Sequence, residues 1–369
     1  MRLALRELRR RPGRFAVAAA TLTLLVVLLL FLGGLLDGLF LGSTGAIRAQ
    51  DADAIVFSSD ARQSFLRSRI DASLRREIDA LPEVERAGGL GFSLMAARIP
   101  GEDELADAAV AGYERPTGEL PQPPPPGAAF ADRRLAANGV DVGDVVLLGP
   151  AETPIEVIGW VDDTNYLLQG GLWVEAGTWR AVQNASRPDA IVADGEFQAL
   201  AVDGATGVDT GSLTAAIDSA TGSATESLSQ DAAVRALPGI TEQDTTFTAV
   251  IWATVLVAGL VVALFFALIT LERVAVYSLL KAIGGSSRTL AVGVLTQAAV
   301  VSLVAFGAGA LVTVGLARVI PAEVPVQFEL SRAVFVLAAV VATAVVGSTV
   351  SLRRIVRVDP AANVGAGVG

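Results

Sequence analysis

Four stretches of this 369-residue chain carry no charged side chain and are each long enough to cross a bilayer: Phe15–Leu36, Ala249–Leu271, Leu290–Ala317 and Ala333–Leu352. A hydrocarbon core about 30 Å thick takes about 20 apolar residues in a helix that rises about 1.5 Å per residue. Val, Leu, Ala, Ile and Phe dominate all four runs, and Gln297 is the strongest polar intruder. Each run therefore reads as a membrane span and not as a buried core helix.

Basic residues near span ends mark the cytoplasmic side. Arg2, Arg6, Arg9, Arg10, Arg11 and Arg14 precede the first run; Arg273, Lys281 and Arg288 lie between the second and third; Arg353, Arg354 and Arg357 follow the fourth. With four spans these segments share one side, which puts both termini in the cytoplasm and residues 42–246 outside. Charge divides the same way: 42–246 hold 14 Arg against 32 Asp and Glu, while the rest of the chain is net basic. The first run is expected to stay as a signal anchor, being longer than a secretory signal core and lacking a convincing cleavage site. Leu5 and Leu8 against Arg2, Arg6 and Arg9 suggest an amphipathic helix on the inner leaflet.

The expected organisation is an N-terminal helix over 1–14, spans at 15–41, 247–271, 290–318 and 333–352, an outer domain at 42–246, a cytoplasmic connection at 272–289, a short outer loop at 319–332 and a tail from 353 to 369. The fold class is an α-helical membrane protein with an α+β domain inserted between helices 1 and 2. In that domain Leu66, Ile70, Leu74 and Ile78 predict an amphipathic helix stopped at Leu81-Pro82. Strands are expected near Ala54–Phe57, Leu90–Ile99, Ala108–Tyr113, Val145–Leu148, Ile155–Val161, Leu172–Val174 and Ala190–Val192. Pro121–Pro126, Ala201–Gly211 and Thr221–Thr225 read as connections, and Leu228–Leu237 as a helix leading to the second span.

Composition removes most familiar chemistry. The chain has no Cys and no His, which excludes disulfides, Cys/His zinc sites and Ser-His-Asp hydrolysis. Its single Lys, Lys281, lies outside any G-x-x-x-x-G-K-[ST] loop, so the chain has no P-loop. Acidic neighbours such as Asp162-Asp163, Glu102-Asp103-Glu104 and Asp51 with Asp53 lack calcium-hand spacing. No metal site, no cofactor in this chain and no nucleic-acid partner are expected.

The cytoplasmic connection is the most informative segment. Val276, Leu279, Leu280 and Ile283 fall on one helical face, and Arg273, Tyr277 and Lys281 stand four apart on another. Gly284-Gly285 ends the helix, and Ser286 or Ser287 can cap the next. The pattern fits a surface helix that docks into a cytosolic protein, and equally a re-entry turn resting on lipid.

Leu271-Glu272-Arg273 through Leu280-Lys281-Ala282-Ile283-Gly284-Gly285-Ser286 resembles the E-R…L-K-A-[IL]-G-[AG]-S signature of FtsX-like ABC transporter permeases of the MacB type. Leu5-Arg6-Glu7-Leu8-Arg9-Arg10, Asp132-Arg133-Arg134-Leu135-Ala136 with Val142-Gly143-Asp144-Val145-Val146, and Arg353-Arg354-Ile355-Val356-Arg357-Val358-Asp359-Pro360-Ala361 extend the likeness along the chain. Gln50-Asp51-Ala52-Asp53-Ala54-Ile55-Val56 is similar to the branch with haem-efflux and DevC-type permeases. The chain departs at Val276, where many relatives are acidic.

The resemblance implies a homodimer of non-catalytic permease subunits in a bacterial plasma membrane. Each would be bound to a cytosolic P-loop ABC ATPase that holds ATP and Mg, and the long first and second helices would carry the ATPase stroke outward. It makes Glu272, Arg273, Tyr277, Lys281, Gly284 and Ser286 the ATPase-coupling residues. The implied activity is extrusion of an amphipathic or hydrophobic compound, with haem the leading guess. The alternative is an FtsX-like scaffold that switches an extracytoplasmic cell-wall hydrolase without moving solute; a membrane protein without an ATPase is a third reading.

Gly34, Gly38 and Gly42, four apart on span one, allow close helix approach, as a dimer seam, a substrate path or packing within the chain. Asp37 is a substrate contact or a solvated interfacial carboxylate. Phe31, Phe40, Phe247 and Trp252 line an apolar pocket or anchor at the membrane surface. Without His or Cys, haem is left with Met95, Tyr113, Tyr166 or a carboxylate as ligand.

Overall fold

A computed structural model describes residues 12–99, 105–272, 287–321 and 324–356. Along the chain run α1 (Pro12–Arg48), β1 (Ala54–Ser58), α2 (Ala72–Asp79), β2 (Val84–Arg98), β3 (Leu105–Tyr113) and β4 (Ala128–Asp132). A short 3-10 helix (Arg133–Asn138) leads to β5 (Val145–Leu148), β6 (Thr153–Val161), β7 (Gly170–Glu175), α3 (Ala176–Ser186), β8 (Ala199–Gly204) and α4 (Thr210–Ala220). Then come β9 (Thr225–Ser229), α5 (Gln230–Ala236), α6 (Ile240–Glu272), α7 (Ser287–Ala317) and α8 (Leu330–Val356). They fall into two compact units, one of residues up to Gly38 and from Asp244 onward, the other of Leu39–Gln243.

The first unit holds four helices long and apolar enough to span a membrane. Leu22, Val262, Val294, Ala298, Val301 and Ala344 form one buried cluster, and Val26, Leu29, Leu36, Ile251, Val255 and Val340 another. Leu24, Leu256, Leu260, Leu264, Leu303 and Leu311 stay exposed on the opposite faces, the faces that lipid covers in a polytopic protein. Helical structure outruns the apolar runs: α1 continues beyond 41 to Arg48, and α6 starts at Ile240, ahead of 247. The turns added to α1 are made of small polar residues, Ser43, Thr44 and Gly45, which carry no hydropathy signal.

The second unit is a mixed α/β domain built on one nine-stranded sheet. Six of its strands, β2, β3, β7, β4, β6 and β5, close a ring, with β3–β7 and β4–β6 parallel and the other pairings antiparallel. Long β2 belongs to two layers, because its first half, Val84–Leu90, also pairs β8, and the order continues to β1 and β9. Alternation along β3 and β7 gives each strand two buried faces. Ala109, Ala111, Tyr113 and Trp173 enter an aromatic core with Phe57, Phe65, Phe92 and Tyr166, while Val110, Leu172 and Val174 join Trp179 and Val182 of α3.

Several sequence expectations change. The helix expected from Leu66 starts only at Ala72, where Asp71 caps it by accepting from Ser73 N (2.7 Å) and Leu74 N (2.9 Å). Ile70 is instead buried in an isolated bridge to Phe197, so the four-residue repeat ran past the helix by coincidence. Ala190–Val192 is no strand, and Ile191 is exposed. Ala201–Gly211 is not a plain connection, since Ala201 and Val202 are buried in β8. Strands β4, β8 and β9 went unseen because Ala and Ser carry little β signal.

Candidate functional site

Glu272 closes α6, and the remaining coupling candidates, Arg273, Tyr277, Lys281, Gly284 and Ser286, lie outside the described residues, as do the acidic run 102–104 and the N-terminal segment. What the structure details is how α1 is held at Gly34–Gly38 within the first unit and at Gly42–Ala46 within the second.

In the membrane unit, α1 is crossed by the chain that leads into α8. Gln327 N donates to Gly34 O at 2.9 Å. A Cβ at Gly34 would press on the Phe328 ring, and one at Gly38 would collide with the Pro325 carbonyl. The small faces of both glycines are thus filled by a segment of the same chain. Next to them Asp37 is only 8% exposed, and Arg332 of α8 meets it with two donors, Nη2 at 2.5 Å and Nε at 3.2 Å. This corrects the solvated reading of Asp37: its charge is paired within the chain. Geometry of this bidentate kind fixes direction as well as distance.

The C-terminal end of α1, from Leu39 on, belongs to the second unit, and from Gly42 on it is gripped by the β6–β7 connection. Ala46 N donates to Asn165 O (2.8 Å), Leu168 N to Gly42 O (2.9 Å) and Leu167 N to Ser43 O (3.2 Å). Gly42 faces Leu168 and the Arg134 guanidinium, while Gly45 lies against the backbone of Asp163 and Asn165. Tyr166 and Gln169 exchange main-chain hydrogen bonds across Leu167-Leu168 (3.1 and 3.0 Å). Both leucines have positive φ, 50° and 70°, and Asp163 has 58°. Two successive positive-φ residues closed by a two-residue bridge resemble the tight hairpin turn that normally takes Asn-Gly, and each such non-glycine residue costs about 1–3 kcal/mol.

Buried groups hold this turn in place. The Asp132 carboxylate, 1% exposed, accepts from Thr164 N (2.8 Å), Thr164 Oγ1 (2.7 Å) and Arg134 N (2.9 Å). With its amide oriented to match its neighbours, Asn165 donates to Asp132 at 2.9 Å and accepts from Arg134 Nε at 3.2 Å. Tyr166 anchors the turn in the aromatic core, edge-on to Phe65 at 5.7 Å. The free carbonyls at the end of α1 are taken up by side chains: Gln230 Nε2 on Arg48 O (3.1 Å), Thr117 Oγ1 on Ala49 O (2.6 Å) and Arg115 Nη2 on Gln50 O (2.9 Å).

The aromatic candidates are divided between the two units. Phe40 packs on the aromatic core of the second unit, Phe247 on a cluster of the first, and Phe31 is half-buried. Trp252 is 56% exposed with its ring edge-on to Phe335 at 6.0 Å. The haem-ligand candidates Tyr113 and Tyr166 are core residues; Tyr113 Oη donates to Pro121 O at 3.0 Å, and burial raises both phenol pKa values above the ordinary 10.0. Met95 is half-buried on a hollow of the second unit of about 520 Å³ with Arg98, Leu147 and Ser186. Asp162 pairs with Arg133 at 2.7 Å and Asp53 accepts from Gly204 N at 2.9 Å, and no acidic cluster able to hold a metal occurs among the described residues. Sequence reasoning missed Arg332, Pro325–Phe328 and Asn165–Leu168. Of these only Arg332, a charge at the edge of an apolar run, left a signal that pairing with Asp37 could have explained.

Four spans and a folded insertion define a multi-pass membrane protein. Residues 248–360 match the FtsX-like permease C-terminal family. An ABC transporter permease of Mycobacterium tuberculosis is 26% identical over 97% of both chains. A Staphylococcus epidermidis protein that bears the name hemin transport system permease protein HrtB is 18% identical over 100% of both. The periplasmic region of MacB from Actinobacillus actinomycetemcomitans aligns with 52% of this chain and 96% of its own at 14% identity, TM-score 0.35. The extracellular domain of YknZ from Gram-positive bacteria aligns with 47% and 99% at 13% identity, TM-score 0.34. Over its last third the chain is thus similar to FtsX-like permeases, and over nearly its whole length to ABC transporter permeases.

Proposed function

We propose that this permease couples ATP hydrolysis in a separate cytosolic ATPase to extrusion of an amphipathic or hydrophobic compound, with 42–246 outside a bacterial plasma membrane and both termini inside. The basic flanks of the spans support that orientation. The observation that carries the reading is that α1, 37 residues long, and α6, 33 residues long, lead directly into and out of a folded domain. Helices of that length pass displacement along their axes and need no continuous pore. Two copies form the working unit, each docked through Glu272, Arg273, Tyr277, Lys281, Gly284 and Ser286. Phe31, Phe40, Phe247 and Trp252 supply apolar contact area for the cargo.

Haem is the first cargo to test, on the strength of the HrtB likeness alone. The burial of Tyr113 and Tyr166 leaves them unable to ligate it without opening the core, so weak apolar contact suits it better than axial ligation. The test is purification of the tagged protein from native membranes in mild detergent, with identification of co-purifying chains and ATP hydrolysis measured with and without haem. A bound P-loop ATPase stimulated by haem is the expected result. Hydrolysis indifferent to haem removes haem and keeps the exporter; a co-purifying cell-wall hydrolase favours the scaffold; absence of an ATPase overturns the reading.

A further inference from the structure

We propose that the turn Asn165–Leu168 is the joint through which axial movement of α1 enters the outer domain, and that Asp132 is its positioning residue. The inference rests on the force-transmitting reading above and assigns the place where the force crosses.

The contact is made by main chain on both sides. Ala46 N, Gly42 O and Ser43 O of α1 are bonded to Asn165 O, Leu168 N and Leu167 N. A backbone-to-backbone contact has no rotamers to absorb a small shift, unlike the Gln230, Thr117 and Arg115 side chains that meet the helix end. Gly42 and Gly45 provide the approach, for a Cβ on either would meet the turn or its support. The turn keeps a conformation that two leucines disfavour, which requires the surroundings to determine it. Those surroundings are Tyr166 in the aromatic core and Asp132 on Thr164 and Asn165. Asp132 ends β4, and the turn joins β6 to β7, the two neighbours of β4 in the ring. The Asp132-Arg133-Arg134 word of the sequence thereby acquires a role, since Arg134 lies at both Asn165 and Gly42.

The test uses the full chain with its co-purified ATPase in nanodiscs, read by hydrogen exchange with and without ATP plus vanadate. In the wild type, peptides covering 128–169 should change exchange on nucleotide trapping. Gly45→Ala, which improves intrinsic helix propensity while wedging the turn away, should abolish that change and expose the Leu167 and Leu168 amides, with ATP hydrolysis within twofold of wild type. Asp132→Ala should do the same. L167N/L168G, which keeps the turn backbone with residues that favour it, should retain the response. Persistence of the response in Gly45→Ala and Asp132→Ala, or its loss in L167N/L168G, overturns the joint while leaving the exporter reading intact. A wild-type complex whose outer domain never responds to nucleotide overturns both.

Discussion

A methyl group added at Gly38 has nowhere to go, because the obstacle is the Pro325 carbonyl, a backbone group that cannot rotate aside. Gly38→Ala should cost about 1–3 kcal/mol through overpacking, seen as a lower thermal midpoint of the detergent-solubilised protein; an unchanged midpoint would mean that 325–328 does not rest on α1. Asp37 and Arg332 make a separate case. Their side chains are 10% and 29% exposed, so removing one partner strands a charge in poor solvent. Asp37→Asn or Arg332→Gln should each cost about 3 kcal/mol, and D37L/R332M should recover most of that loss, because an apolar pair replaces a buried ion pair at little penalty. A double-mutant cycle on the thermal midpoint checks this.

Helices α2 and α4 each begin on an aspartate whose side chain accepts from backbone N–H groups of the first turn. The hydroxyls of Ser73 and Ser212 add the largest pull, and both carboxyl pKa values lie below the ordinary 3.8. A depressed carboxylate contributes its stabilisation above the unfolded value and loses it as pH falls through the lower folded one. Protection factors in 72–79 and 210–220, which divide out the intrinsic slowing of exchange in acid, should therefore fall as the pH drops below about 4. Asp71→Ala should remove the response in α2 at a cost of about 0.5–1 kcal/mol, the low end because the cap is exposed; a variant that titrates like wild type would refute it. Elements with strong periodicity were legible: the four spans, β5, and most of β3 and β6. The Ala-rich strands β4 and β8 were not, since burial by neighbours and not local preference makes them strands. The Leu167-Leu168 turn could not have been read at all, because its residues contradict its conformation and only tertiary contacts explain it.

At the scale of the whole molecule, the proposed function joins a segment singled out by sequence resemblance to a turn singled out by structure. The resemblance implied a set of coupling residues and an architecture, but no local pattern marked the contact of Gly42, Ser43 and Ala46 with Asn165–Leu168. Tyr277→Ala with Lys281→Ala should leave insertion intact and uncouple ATP hydrolysis from export. Full export by that double variant, measured as cargo released per ATP consumed, would exclude the connection as the coupling helix.

The six-stranded ring adds a mechanical consequence. An open sheet pulled at an outer strand tears one ladder at a time, like a zip, starting from its free edge. Strands β4, β6 and β7, on which the turn is mounted, each have a bonded neighbour on both sides. On the proposed force-transmitting reading, a tug arriving there meets no loose border and must strain several ladders together, where an open sheet would peel.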